Sequence, residues 1–147
     1  MKKINRIIIK KLLDTDADLS YLGKFSDDAG EFAVKHSDEI KEYKYFNAGN
    51  VDNIKQAKKN YKRIMDYEKG RWSMIGIRAD AKISTGQKGW MLVNTLSSGG
   101  IWGIEDDWDV KDYQEIINEQ LYELKDVLRK LGFSKMQIEK AKVESEI

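Results

Sequence analysis

The chain has no cysteine and no proline, and a single histidine, His36, among 147 residues. Each scarcity removes a class of chemistry. Without cysteine there is no disulfide framework and no thiolate nucleophile. One imidazole and no sulfur ligand leave zinc without a donor set. The usual base for a serine nucleophile is histidine, and His36 is the one histidine present. Long apolar runs are also missing. Ile7 to Ile9 and Met91 to Val93 are short stretches, far below the roughly 20 apolar residues of a membrane span. The opening "MKKINRIIIKKLLD" is interrupted by Lys10 and Lys11 and has no small-residue cleavage site after it, so it does not read as a signal peptide. Nor does one sign of charge dominate: 26 basic and 25 acidic side chains leave a net +1.

The balance conceals an asymmetry. Residues 101–147 hold seven basic and twelve acidic side chains, net −5, whereas residues 41–90 hold twelve basic and five acidic, net +7. Such a distribution permits electrostatic steering of a partner. With 41% apolar and 35% charged residues, the chain fits one α+β domain spanning 1–147, with a core and a heavily solvated exterior.

Residues 5–12 are rich in β-branched side chains and read as a strand. "DTDADLSYLGKFSDDAG" reads as irregular, and "EYKYF" at 42–46 as a short edge strand. Asn50 is expected to cap a helix over 51–68, whose apolar face carries Val51, Ile54, Ala57, Tyr61, Ile64 and Met65, with Gly70 as its stop. The clearest strand is "SMIGIRADAKI". Ile75, Ile77, Ala79, Ala81 and Ile83 point one way, and Gly76, Arg78, Asp80 and Lys82 the other. "STGQKG" turns it into "WMLVNTL", a hairpin over about 73–96, and "IWGIE" adds a short strand. A helix over 111–131 follows, with Tyr113, Ile116, Ile117, Leu121, Leu124, Val127, Leu128 and Leu131 as its apolar stripe and Gly132 as its end. Ser134 with Gln137 is a capping box opening a short last helix. The expected architecture is a small antiparallel sheet of three or four strands packed against the two long helices.

The segment "NTLSSGGIWGIEDDWD" at 94–109 concentrates the candidate chemistry. Ser97 and Ser98 are not in a nucleophile elbow. They and Gly99 and Gly100 read as a sharp turn, with both glycines supplying positive φ. Asp14, Asp16 and Asp18 match the start of a calcium loop, but Leu19 and Phe25 stand where its glycine and bidentate glutamate belong. Glu105, Asp106 and Asp107 can hold a hard cation, although acids before a long helix serve its start equally well, Asp109 as cap and Asp112 in the first turn. Trp72 and Trp90 are expected in the core or on a sheet face. Trp102 and Trp108 are expected to pack in a satellite core beneath the loop; an exposed Trp102 would instead anchor an interface. Lys55, Lys58, Lys59 and Lys62, with Arg63 beside them, form a basic stripe that can meet phosphates. No catalytic residue, metal or cofactor is assigned.

"GRWSMIGIRADAKI", then "SSGGIWGIEDD", then a helix ending "LKDVLRKLGFS" resembles a family of small uncharacterised proteins of bacteriophages and mobile elements. The shared signature is Trp-x-x-Ile-Gly-Ile-Arg-Ala followed by Ser-Gly-Gly-(Leu/Ile)-Trp-Gly-Ile-Glu. "DTDADLSYLGKFSD" is similar to the early segment of that family, with Ala17 where proline is common. The acidic end departs from the family's Glu-Ser-Asp pattern, reading Glu105, Asp106, Asp107 here. The resemblance implies a cytoplasmic, non-enzymatic accessory protein that binds a host protein, for instance an anti-defence protein acting on a CRISPR effector. The candidate binding residues are read from the loop itself, with Trp102 as anchor: Ser97, Ser98, Gly99, Gly100, Trp102, Glu105, Asp106 and Asp107. Nucleic-acid binding through the basic stripe is the alternative, and a small enzyme using Glu105, with or without a metal, the third. No membrane partner is expected, and the oligomeric state is open.

Overall fold

The computed structural model describes residues 2–36, 42–87 and 90–147. The elements run β1 (Lys2–Leu13), β2 (Gly23–Ser26), β3 (Ala33–Lys35), β4 (Tyr45–Ala48), α1 (Ile54–Glu68), β5 (Met74–Gln87), β6 (Trp90–Ser97), β7 (Ile101–Glu105), α2 (Val110–Lys130), α3 (Lys135–Lys140) and β8 (Val143–Ser145). The class is α+β, and the chain divides into two compact units, residues 1–15 with 74–147, and residues 16–73. No described helix is long and apolar enough to cross a membrane.

The larger unit is built on β5. The alternation legible in its sequence is real: Ile75, Ile77, Ala79, Ala81 and Ile83 are buried with Tyr113, Ile117, Leu124 and Leu128 of α2 and Phe133 and Ile138 beyond it. One edge of β5 pairs antiparallel with β1, and β8 then adds parallel to β1, matching Ile7 with Val143 and Ile9 with Ser145. The other edge of β5 is shared, β6 pairing with Asp80–Gln87 and β7 with Met74–Ile77. The sheet is therefore five-stranded and mixed, larger than the expected three or four antiparallel strands. The loop expected at "STGQKG" is shorter than foreseen, because β5 continues through Gln87; Lys88 and Gly89 lie outside the described residues, as does the side chain of Trp90.

Capping explains where α2 and α3 begin. Asp109 is the N-cap of α2, and the Asp112 carboxylate accepts from the Asp109 backbone N–H at 3.2 Å. Ser134 and Gln137 form the expected reciprocal box at α3. Gly132, at φ 96°, follows the last turn of α2.

In the smaller unit the three strands order β2-β4-β3. The segment expected as an edge strand is thus the central one, shifted to Tyr45–Ala48. α1 packs on β3 and β4, so this small sheet, rather than the hairpin sheet, is where its apolar face is buried. Its cap is Asn53, whose Oδ1 accepts from Gln56 N at 2.9 Å; Asn50 instead turns the chain at φ 49°, and Val51 precedes the helix. Phe46 is fully buried among Phe25, Tyr61 and their neighbours. His36 is part of that core, its ring edge-on to Phe25 and its Nδ1 2.9 Å from the Tyr61 hydroxyl. Trp72 is buried as expected, donating to the Arg63 carbonyl at 2.8 Å.

Candidate functional site

Along the edge of β5, β6 and β7 are one strand interrupted twice. Asp80 faces Ser97 and Ile77 faces Ile101, so two residues of β5 oppose three, Ser98, Gly99 and Gly100. Ile75 faces Ile104, so Gly76 alone opposes Trp102 and Gly103. Each extra residue is a β-bulge, which bends the strand and re-aims side chains. Gly100 at φ 81° and Gly103 at φ 73° take the left-handed backbone that the bulges need. Gly99 does not adopt positive φ, correcting the expectation that both glycines of the turn would.

A bulge breaks the ladder and orphans backbone groups, and side chains satisfy them here. Ser98 Oγ accepts from Ala79 N at 2.9 Å and donates to Gln120 Oε1 at 2.6 Å. The same oxygen of Gln120 accepts from Gly100 N at 2.9 Å, and Glu123 accepts from Gly99 N at 2.8 Å. At the second bulge, Asp14 Oδ2 accepts from Gly103 N at 3.0 Å. The first aspartate of the calcium-like run is therefore an acceptor for the sheet. Among the described residues no group of three or more His, Asp or Glu side chains gathers as a metal site would need. Ser98 is buried with its proton directed at an amide oxygen, an arrangement that serves structure and offers no activated nucleophile.

Trp102 is where the bulges lead. Its ring lies across Gly76, so that a Cβ at Gly76 would stand 2.3 Å from Trp102 Cε3. The face concerned carries Gly76, Arg78, Asp80 and Lys82, opposite to the one covered by α2. The glycine is a seat for the indole, and Trp102 as a residue stays 47% exposed. Trp108 is 41% exposed, stacked on Tyr113 at 5.9 Å and donating to Glu105 Oε2 at 3.2 Å. Neither tryptophan is enclosed in a satellite core, contrary to expectation: the bulge turns Trp102 onto the face opposite α2, and Trp108 lies against Tyr113 of α2 with its outer side open.

The turn carrying Asp106 and Asp107 is held by one hydroxyl. Tyr113 Oη donates to the Glu105 carbonyl at 3.0 Å and accepts from Trp108 N at 3.2 Å. Burial pushes the Tyr113 hydroxyl pKa up, the Trp108 hydrogen bond opposes this, and the charges of Asp106, Asp107 and Asp112 add to the rise. Tyr113→Phe is expected to cost about 1 kcal/mol and to speed amide exchange at Trp108, measured by hydrogen exchange with mass spectrometry.

Ion pairs line the outer face. Arg78 grips Asp80 through Nε at 2.7 Å and Nη2 at 3.0 Å, Arg6 reaches Glu144 at 3.2 Å, and Lys10 reaches Glu146 at 3.0 Å. Burial acts to raise the Asp80 pKa, but hydrogen bonds from Arg78 and Ser97 outweigh it and hold the carboxyl below its ordinary value of 3.8. A depressed native pKa means stability that is present above the unfolded value and lost as pH falls through the folded one. Asp80→Asn is therefore expected to lower the urea midpoint at pH 7, and the gap from the wild type should narrow below about pH 4. Ser97, exposed at the bulge, belongs to this network. Sequence reading missed Asp80, Gln120 and Asp14 as anchors; Gln120 alone left a signal, a polar residue in line with the apolar stripe of α2.

Of the basic stripe, Lys55, Lys58, Lys59 and Lys62 are exposed on α1, with Lys62 paired to Asp66 at 3.0 Å. Arg63 leaves it: its guanidinium lies 3.7 Å over the Trp72 ring. No family model, no curated protein and no solved structure matches this chain.

Proposed function

We propose that the chain is a non-catalytic binding protein of the bacteriophage and mobile-element kind, working in the cytoplasm of a bacterial host by covering a surface of a host protein. A component of host defence, such as a CRISPR effector, is the target class suggested by the family resemblance. The observation that carries the reading is the seating of Trp102. A tryptophan half exposed on a rigid sheet, held over a glycine, has the amphipathic area and low entropy loss of an interface anchor. Trp108 beside Glu105 supplies a second aromatic rim, and the acids of the turn supply charge. The candidate catalytic groups support the same side of the choice, since Ser98 is engaged in satisfying the backbone.

Four exposed lysines on α1 favour a second reading, contact with nucleic-acid phosphates. It predicts that affinity for a DNA duplex falls with log salt at a slope of about −3.6 for four phosphates neutralised, near −0.9 for each. Lys58→Glu with Lys62→Glu should abolish binding in a fluorescence-anisotropy titration. A flat salt response eliminates this reading.

A further inference from the structure

Between Lys88 and Glu105 lie sixteen consecutive residues without a charge, in a chain that is 35% charged. Within this stretch β6 and β7 form the outer edge of the five-stranded sheet, whose order places β6 last. Natural sheets blunt such edges with charges, proline, bulges or a covering element. Here the two halves of the edge differ. The β7 half is broken by both bulges, whereas the eight residues of β6 run regularly for about 27 Å with no charge and no irregularity in their pairing to β5. Met91, Leu92 and Val93 are 64%, 55% and 59% exposed, on both faces of the strand. The bulges that would deter strand addition protect the β7 half of this edge and are missing from the β6 half.

We infer that β6 is a pairing edge for a second copy of this chain, joined antiparallel about a twofold axis through Asn94, so that two five-stranded sheets become one. The sequence of β6 fits itself in that register. Alternation places Leu92, Asn94 and Leu96 on the α2 face and Met91, Val93, Thr95 and Ser97 on the other. Pairing about Asn94 sets Leu92 against the partner's Leu96 twice, either side of Asn94 against the partner's Asn94. On the opposite face it sets Val93 against the partner's Thr95 and Met91 against the partner's Ser97. Every pair is apolar or neutral, so like meets like without repulsion, as an isologous contact requires. A shallow cavity of about 150 Å³, lined by Ile83, Asn94, Leu96, Leu131 and Phe133 with Lys2 at its margin, adjoins the same strand on the α2 face. Leu131 is exposed there, leaving apolar surface for the incoming Leu92.

The absence of cysteine makes the geometry directly testable. Directly opposed Cβ atoms in an antiparallel pair lie about 4.5–5.5 Å apart, within reach of a disulfide after small adjustment. On a non-reducing denaturing gel after mild oxidation, Asn94→Cys should run as a covalent dimer of twice 17.1 kDa, while Tyr122→Cys on α2 runs at 17.1 kDa. Light scattering over about 1–100 µM should show the wild type at the dimer mass. Val93→Lys and, independently, Thr95→Lys should each weaken dimerisation at least about tenfold with an unchanged circular-dichroism spectrum. Trp102→Ala should leave the dimer intact, which separates this inference from the partner-binding reading. A wild type that stays at 17.1 kDa throughout overturns the proposal, including a monomer whose β6 is covered by another protein. So does an oxidised Asn94→Cys that forms no more dimer than the Tyr122→Cys control, or a lysine variant as dimeric as the wild type.

Discussion

Replacing Gly76 by alanine should destabilise the protein by about 1–3 kcal/mol, although glycine inside a strand is ordinarily the poorer residue. The reason is the indole above it. The new methyl would stand 2.3 Å from Trp102 Cε3 and 2.7 Å from Cδ2, closer than non-bonded carbons approach, so the ring must leave its seat. Trp102 cannot simply settle elsewhere, because Gly103 behind it is fixed at φ 73° and its N–H is held by Asp14. The sign of the effect depends on the ring. With Trp102→Ala in the background, Gly76→Ala should be neutral or stabilising by up to about 1 kcal/mol, since alanine loses less backbone freedom than glycine on folding. Urea unfolding of the four species closes a double-mutant cycle, with an expected coupling of about 1–3 kcal/mol. Equal effects of Gly76→Ala in both backgrounds would mean that the indole does not rest on the glycine.

Gln120→Leu should cost more, about 2–5 kcal/mol. Leucine keeps the volume and the helix preference but removes one oxygen that serves two donors, the Ser98 hydroxyl and the Gly100 N–H. Both would be left unpaired at a largely buried site, at about 1–3 kcal/mol each. The bulge would lose its tether to α2 apart from Glu123 on Gly99. At roughly 2–4 °C per kcal/mol for a protein of this size, the midpoint of thermal unfolding should drop by about 5–15 °C. Ser98→Ala should lower it by less, because it orphans the Ala79 N–H alone while freeing Gln120 of one partner. The pair also discriminates between roles: a catalytic serine would be replaceable with little loss of stability, and this one should not be.

What could be read in the sequence was what short-range chemistry decides. The alternation of β5, the stripe of α2, the Ser134–Gln137 box and the stops at Gly70 and Gly132 all depend on neighbours within a few positions, and all are present. Pairing across the chain was not legible. β8 is three residues that find β1 from 136 positions away, and no local pattern in "VES" announces it. The bulges are likewise properties of register, visible only once Asp80 is set against Ser97 and Ile75 against Ile104. Asn50 and Asn53 illustrate competition between two valid signals. Both can cap, and the helix starts from Asn53 because Gln56 N lies within its reach, while Asn50 is used in a left-handed turn.

The segment "SSGGIWGIE" carried most of the candidate chemistry, and its residues separate into two roles. Ser98, Gly99, Gly100 and Gly103 shape and anchor the edge of the sheet, which leaves Trp102 as the residue presented outward. The account therefore stands on Trp102 as a binding anchor. Its most direct measurement is affinity capture from a bacterial host lysate with the wild type, Trp102→Ala and the more exposed aromatic control Tyr122→Ala, each first shown to be folded. The account predicts a discrete host protein retained by the wild type and by Tyr122→Ala and lost with Trp102→Ala. Retention of the same protein by all three would contradict it.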